Sequence, residues 1–173
     1  MDITVTADVT ATNSAGTLTD QVLATFTSVT TSLTKYVRNV FNASGNSSGT
    51  GAQAFTVQGF TGNFFTGGVT AESGDTLEYL LVASNSGSIA ATSASISDVL
   101  PTTFVVFANG SYTTDDLVYI DEGGTENLLT LGGQATLTGS NLSVNVGTGA
   151  SAAAGGSIST GNTISVAYRV IVN

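Results

Sequence analysis

The sequence has no cysteine, no histidine and no tryptophan, and its 173 residues include one proline, Pro101. Without cysteine there is no disulfide, no thiol nucleophile and no iron–sulfur cluster. Without histidine the commonest general base is missing as well. Serine is plentiful, but no base stands in a recognisable arrangement with it. No carboxylate pair is singled out for glycoside hydrolysis. An enzyme is therefore not expected. Basic residues are almost as scarce: Lys35, Arg38 and Arg169 face twelve acidic residues, for a net charge of −9. Nucleic acid is excluded as a partner, because binding it needs clustered Lys and Arg to displace counterions. Attraction to anionic lipid fails for the same reason, and no apolar run is long enough to span a bilayer as a helix, so membrane insertion is not expected. The pairs Gly132-Gly133 and Gly155-Gly156 are not phosphate loops, since no Lys follows them and they open no helix.

What is present is strand pattern. Charged residues make up only 9% of the chain, well under the usual quarter, so Ser and Thr hydroxyls must keep the surface wet. Ile3, Val5, Ala7, Val9 and Ala11 alternate with Thr4, Thr6, Asp8 and Thr10, a period-two strand. A turn at Asn13–Gly16 and a second strand from Leu18 to Thr27 complete a hairpin. No leader pattern precedes the first strand, so any export signal is expected to have been removed or to lie outside this sequence. Val29 to Phe41 contains a helical spacing of Leu33, Tyr36, Val37 and Val40, but its Val, Thr and Tyr favour a strand. Asn42 to Gln53 is a loop rich in Gly, Ser and Asn. Phe55, Phe60, Phe64 and Phe65 follow within Ala54 to Val69.

Gly74-Asp75 suits a tight turn. From there Leu77, Tyr79 and Leu81 alternate with Thr76, Glu78 and Leu80, giving one apolar and one mixed face. Asn85-Ser86-Gly87 ends that strand. The next runs to Asp98 and stops at Pro101, which cannot donate to a ladder. Phe104 to Phe107, Leu117 to Ile120, Leu128 to Leu131, Ala135 to Leu137 and Leu142 to Val146 follow at the short spacing of a sandwich. Gly147 to Gly156 has the composition of a flexible loop. Ile164, Val166, Tyr168, Val170 and Val172 then alternate along a last strand. No segment has the pattern of a helix. The expected fold is all-β, an Ig-like two-sheet β-sandwich, with an N-terminal strand/hairpin over 1–28 and the sandwich over 29–173. Its core is expected to contain Leu77, Tyr79, Leu81, Val99, Val166, Tyr168 and Val170. Arg169, on the opposite face, is expected to meet solvent or a carboxylate of a neighbouring subunit.

The stretches Gly74-Asp75-Thr76-Leu77-Glu78-Tyr79, Asn85-Ser86-Gly87 and Asp98-Val99-Leu100-Pro101 together resemble an Ig-like repeat of microbial surface proteins, the conserved domain of unknown function eleven. The resemblance extends to Ser32-Leu33-Thr34-Lys35 and to Gly161–Val170. It departs at Ser73, where the family usually has proline, and Asn39 to Ala71 stands as an insertion. It implies an extracellular or cell-surface setting.

Three kinds of candidate residue emerge. Asp115, Asp116, Asp121, Glu122 and Glu126 are oxygen donors of the type that binds calcium, though without EF-hand spacing, and a run of loop carboxylates is also what a solvated face looks like. Calcium is the only cofactor under consideration. Asn42, Asn46, Asn109 and Asn141 head glycosylation sequons. Ile3, Val5, Ala7, Val9 and Ala11 are candidate assembly residues. In the resembling family a closing segment follows the Tyr-Arg-Val strand; here a strand of that kind stands at the N-terminus. It is expected either to fold back into its own domain or to enter the next subunit as a donated strand. Donation is head-to-tail and builds a filament. About ten residues reach roughly 33 Å at ~3.3 Å each, and burying Ile3, Val5 and Val9 contributes a gross ~5–9 kcal/mol. The expected function is thus a structural subunit of an extracellular filament or surface layer, with identical subunits as partners. The alternatives are a stalk or spacer module of an adhesin, and a carbohydrate-binding sandwich with Phe60, Phe64 and Phe65 as a platform. Core packing is the plainer role for those Phe residues.

Overall fold

The computed structural model describes residues 3–13 and 16–26 by their backbone and residues 29–40 and 48–173 in full. The described chain is all β, with no helix and 57% of residues in antiparallel strands, arranged as a sandwich. β1 (Ile3–Asn13) and β2 (Gly16–Phe26) pair over their whole length as a two-stranded sheet. Neither pairs with any other strand among the described residues.

The centre of the larger sheet is β6 (Thr76–Asn85), flanked by β3 (Thr31–Asn39) and β14 (Thr163–Val172). Within the stretch that offered a helical spacing, Thr31–Asn39 is thus strand, as its β-branched content favours, and not helix. The far edge of β14 takes β9 (Leu117–Ile120) and β8 (Val105–Phe107) end to end, and β10 (Glu126–Leu129) follows β9. The smaller sheet holds β11 (Ala135–Thr138), β12 (Asn141–Asn145), β7 (Ala91–Val99) and β13 (Gly156–Ile158).

The main core lies between the two sheets. Leu77 and Leu81 of β6 and Val166, Tyr168 and Val170 of β14 meet Ile96 of β7 and Leu142 and Val144 of β12. Tyr79 is partly buried and stacks on Tyr168, ring centroids 5.4 Å apart. Val99 corrects the expected core: it is 68% exposed, and Leu100 is buried in its place. The parity is set by Asp98, which turns inward because Lys35 and the Tyr168 hydroxyl are there to bind it; the next residue must then face out.

The second face of the larger sheet is also covered. The insertion folds as a hairpin of β4 (Gln53–Val57) and β5 (Phe60–Phe64). Its two-residue turn has Gln58 at φ 51° and Gly59 at φ 75°, the paired positive angles that let a tight hairpin follow the strand twist. Val57 and Phe64 pack on Leu80, Val118 and Ala167 with Tyr112. The face expected to be mixed is therefore buried, and Glu78 with it. Gly147–Gly156 also differs from expectation. Gly156 donates to the Val146 carbonyl and Thr148 to the Ser157 carbonyl, both at 2.8 Å. A Cβ on Gly155 would fall 2.2 Å from the Ala94 carbonyl oxygen, so glycine is required there by close backbone approach.

Candidate functional site

All three Lys and Arg side chains pair with carboxylates of the same chain. Glu78, fully buried on β6, stands directly opposite Arg38 on β3 and Arg169 on β14. Arg38 donates from Nε to Oε2 at 2.6 Å, and Arg169 from Nε to Oε1 at 2.9 Å. The Tyr112 hydroxyl donates to Oε1 at 2.8 Å. Each guanidinium also lies on a ring, Arg38 over Phe64 and Arg169 over Tyr112. This corrects the expectation that Arg169 would meet solvent or a neighbouring subunit's carboxylate: the side chain turns to Glu78 on the adjacent strand and stays 23% exposed.

The acidic residues Asp115 to Glu126 do not converge. Asp116 accepts from the Gly110 and Leu131 amides, Asp121 from those of Gly123 and Thr125. Glu122 accepts from the Ser159 amide and Asn162, and Glu126 from the backbone and side chain of Gln58. Asp115 is near only the Thr114 hydroxyl. Asp116, Asp121, Glu122 and Glu126 each tie a different stretch of backbone. Among the described residues no group of three or more acidic side chains is placed to hold a metal ion, so the calcium reading has no geometry behind it. The Thr125 amide, ahead of that of Gly123, holds Asp121 below the usual carboxylate range. For Glu122, burial acts upward but is outweighed by the bonds from Ser159 and Asn162, and its pKa is lowered. A hollow of about 680 Å³ lies between this turn and Gly147–Ala150, and Asp121 and Glu122 on its wall have their bonds already assigned.

Phe64 and Phe65 are buried while Phe60 is 71% exposed, so the three do not share a surface as a sugar platform would require. Asn109 and Asn141 are exposed; Asn42 and Asn46 lie outside the described residues. The candidate assembly residues Ile3, Val5, Ala7, Val9 and Ala11 lie in β1, paired with Phe26, Ala24, Val22, Asp20 and Leu18.

The feature that sequence reasoning did not locate is an open seam between the two sheets, a groove of about 490 Å³ between β3 and β7. Its walls include Leu33, Ala83, Ala91, Ile96, Val146 and Ile158, with no charged side chain among the lining residues. Leu33 is 53% exposed. Beyond the groove the seam is closed by Lys35, whose Nζ lies 2.6 Å from Asp98 Oδ2. The Tyr168 hydroxyl donates to the same oxygen. Burial, followed by that bond, raises the pKa of Tyr168 well above the ordinary phenol value.

Among the described residues, Thr31–Lys35 of β3 and Ser95–Val99 of β7 each have no strand paired on the edge that flanks the seam. On β3 the amides and carbonyls of even residues turn toward β6, as in the bonds Ser86 to Thr30 and Val40 to Thr76. Those of odd residues point away, and there Val37 pairs with Phe65. On β7, Leu100 donates to Ser140 and Ala94 accepts from Val146, so even residues face β12. β13 does not cover the other edge. Gly156 lies opposite Ala94 and bonds Val146 directly, whereas strands on opposite edges of β7 would stand roughly 9–10 Å apart. β13 therefore continues the line of β12.

Comparison with protein-family models, with curated proteins and with solved structures finds no match.

Proposed function

We propose that this chain is the structural subunit of an extracellular filament or surface layer, and that it polymerises head-to-tail by donating its N-terminal strand to the next subunit. One observation carries the reading: among the described residues the N-terminal hairpin pairs with no other strand, and the sandwich has an uncharged seam flanked by strand edges at Thr31–Lys35 and Ser95–Val99 that no strand covers. A two-stranded hairpin is marginally stable in water and needs a third strand or a packing surface. An open sandwich edge is a template for another strand. Each lacks what the other offers. The likeness to repeats of microbial surface proteins supports an exposed setting. So does the scarcity of basic residues, three Lys and Arg in the whole sequence, which leaves few sites for a trypsin-like protease.

The test is negative-stain microscopy and sedimentation of the purified full-length chain beside a variant lacking Met1–Thr12. Fibres from the full chain, and soluble subunits that bind the free 1–12 peptide from the truncated one, are the expected pair of results. Fibres from the truncated chain, or a full-length chain that stays monomeric at high concentration, would overturn donation.

A further inference from the structure

Resting on that reading, we infer that the acceptor is the free edge of β7 at Ser95–Val99, and that β1 of a second copy of this chain adds there, extending the smaller sheet with its hairpin as a unit. The choice lies between two edges. The β3 edge carries Lys35, and lysine is the common device against strand addition. Its next outward position, Val37, is already paired with Phe65. The β7 edge carries no lysine of its own, and its one charged residue, Asp98, turns inward to Lys35 and Tyr168. Ser95, Ser97 and Val99 are exposed, and their amides and carbonyls point away from β12 by the parity set at Ala94 and Leu100. These are the six groups an antiparallel or parallel partner would engage.

Side-chain chemistry agrees on both faces. A strand beside β7 turns alternate residues into the seam, against Leu33, Ala83, Ile96 and Val146. The sequence of β1 supplies Ile3, Val5, Ala7, Val9 and Ala11 at that period. Its other residues, Thr4, Thr6, Asp8 and Thr10, would then continue the hydroxyl-bearing outer surface made by Ser95 and Ser97 with Ser143, which hydrogen-bonds Ser97. β1 need not leave β2, because a strand has two edges and β2 occupies only one of them. The positive φ of Ser93, 55°, marks the bulge where β13 shifts register. It ends the regular edge on one side as Pro101 does on the other.

Because the chain has no cysteine, single cysteines report the contact cleanly. Full-length Thr6→Cys, with Thr4→Cys and Thr10→Cys to scan register, is mixed with full-length Ser97→Cys under mild oxidation. A parallel mixture uses Ser32→Cys, an exposed residue on the outer face of the β3 edge. Cross-strand neighbours bring Cβ atoms to ~4.5–5.5 Å, near disulfide range, so mixed dimers with Ser97→Cys in at least one register are expected. Linkage to Ser32→Cys and none to Ser97→Cys would overturn the β7 assignment and leave donation standing. Fibres with no link to either position would do the same. A chain that stays monomeric and links to neither would overturn both readings. Ser97→Pro adds an independent check, since it removes an N–H that β12 does not use. It should keep a cooperative melt yet abolish fibres; fibres at the wild-type level would count against this edge.

Discussion

Arg169 donates from Nε to Oε1 of Glu78, the residue opposite it across the β14–β6 ladder, from the face of the sheet that β4 and β5 cover. Arg38 approaches the other carboxylate oxygen from β3. Glu78 is 0% exposed, so removing it strands two guanidinium groups under a hydrophobic lid. Breaking a buried pair from one side costs about 3–5 kcal/mol. Glu78→Ala should lose that much in urea unfolding. The triple replacement Arg38→Met, Glu78→Leu, Arg169→Met should recover most of it, because apolar residues of similar volume need no desolvated partners. A triple variant as unstable as the single one would show that the guanidinium–ring contacts with Phe64 and Tyr112 dominate.

The same residue shows where sequence and structure part. Its strand, and most others, were legible from alternation, and Leu117–Ile120 coincides with its expectation. Burial of Glu78 was not legible, because it depends on a hairpin over 53–64 whose docking surface is remote in sequence. The seam depended on pairing geometry. That β12 and β13 share one edge of β7 follows from the bond between Gly156 and Val146, and a glycine-rich stretch carries no local strand pattern to announce it. The candidate donor strand was visible from its period of two; the edge proposed as its acceptor was not.

Parity on β7 and β14 gives a paired prediction. Tyr168 is fully buried and touches Tyr79 and Phe107. Tyr168→Ala should cost about 3–5 kcal/mol, as for other buried aromatic truncations. Val99→Ser should stay within ~0.5 kcal/mol in the unassembled chain, as surface changes do. A large effect at Val99 in a monomeric sample would mean that β7 is turned over.

The Lys35–Asp98 bridge should be asymmetric. Lys35 keeps 38% of its side-chain exposure against 14% for Asp98, so Lys35→Ala should lose no more than about 1 kcal/mol, in the range of exposed ion pairs. Asp98→Ala also leaves the buried Tyr168 hydroxyl without its acceptor, and an orphaned buried donor costs about 1–3 kcal/mol. The added variant Tyr168→Phe separates the two contributions. In that background Asp98→Ala should fall toward the Lys35→Ala value. An undiminished loss would place the role of Asp98 elsewhere.

The pH profile of stability should be a plateau with two shoulders. Asp121 and Glu122 have lowered pKa values in the fold, so their contribution is complete above the unfolded carboxylate range, about 4. It is lost as pH falls through the lowered folded values, where the folded loop must take up protons that its amide donors oppose. Tyr112 and Tyr168 are shifted the other way. Burial is the first cause in both, followed by Glu78 for Tyr112 and by Asp98 for Tyr168. Their contribution is complete below the unfolded phenol value near 10 and declines as pH rises past it, because the unfolded chain releases protons that the fold retains. With no histidine in the chain, no side chain has an unperturbed pKa in the range between. Urea midpoints should therefore be flat from about pH 5 to about pH 9. Asp121→Asn with Glu122→Gln should shrink the acid shoulder and leave the alkaline one, and Tyr168→Phe should do the reverse. A step between pH 6 and 8 would contradict the assignment.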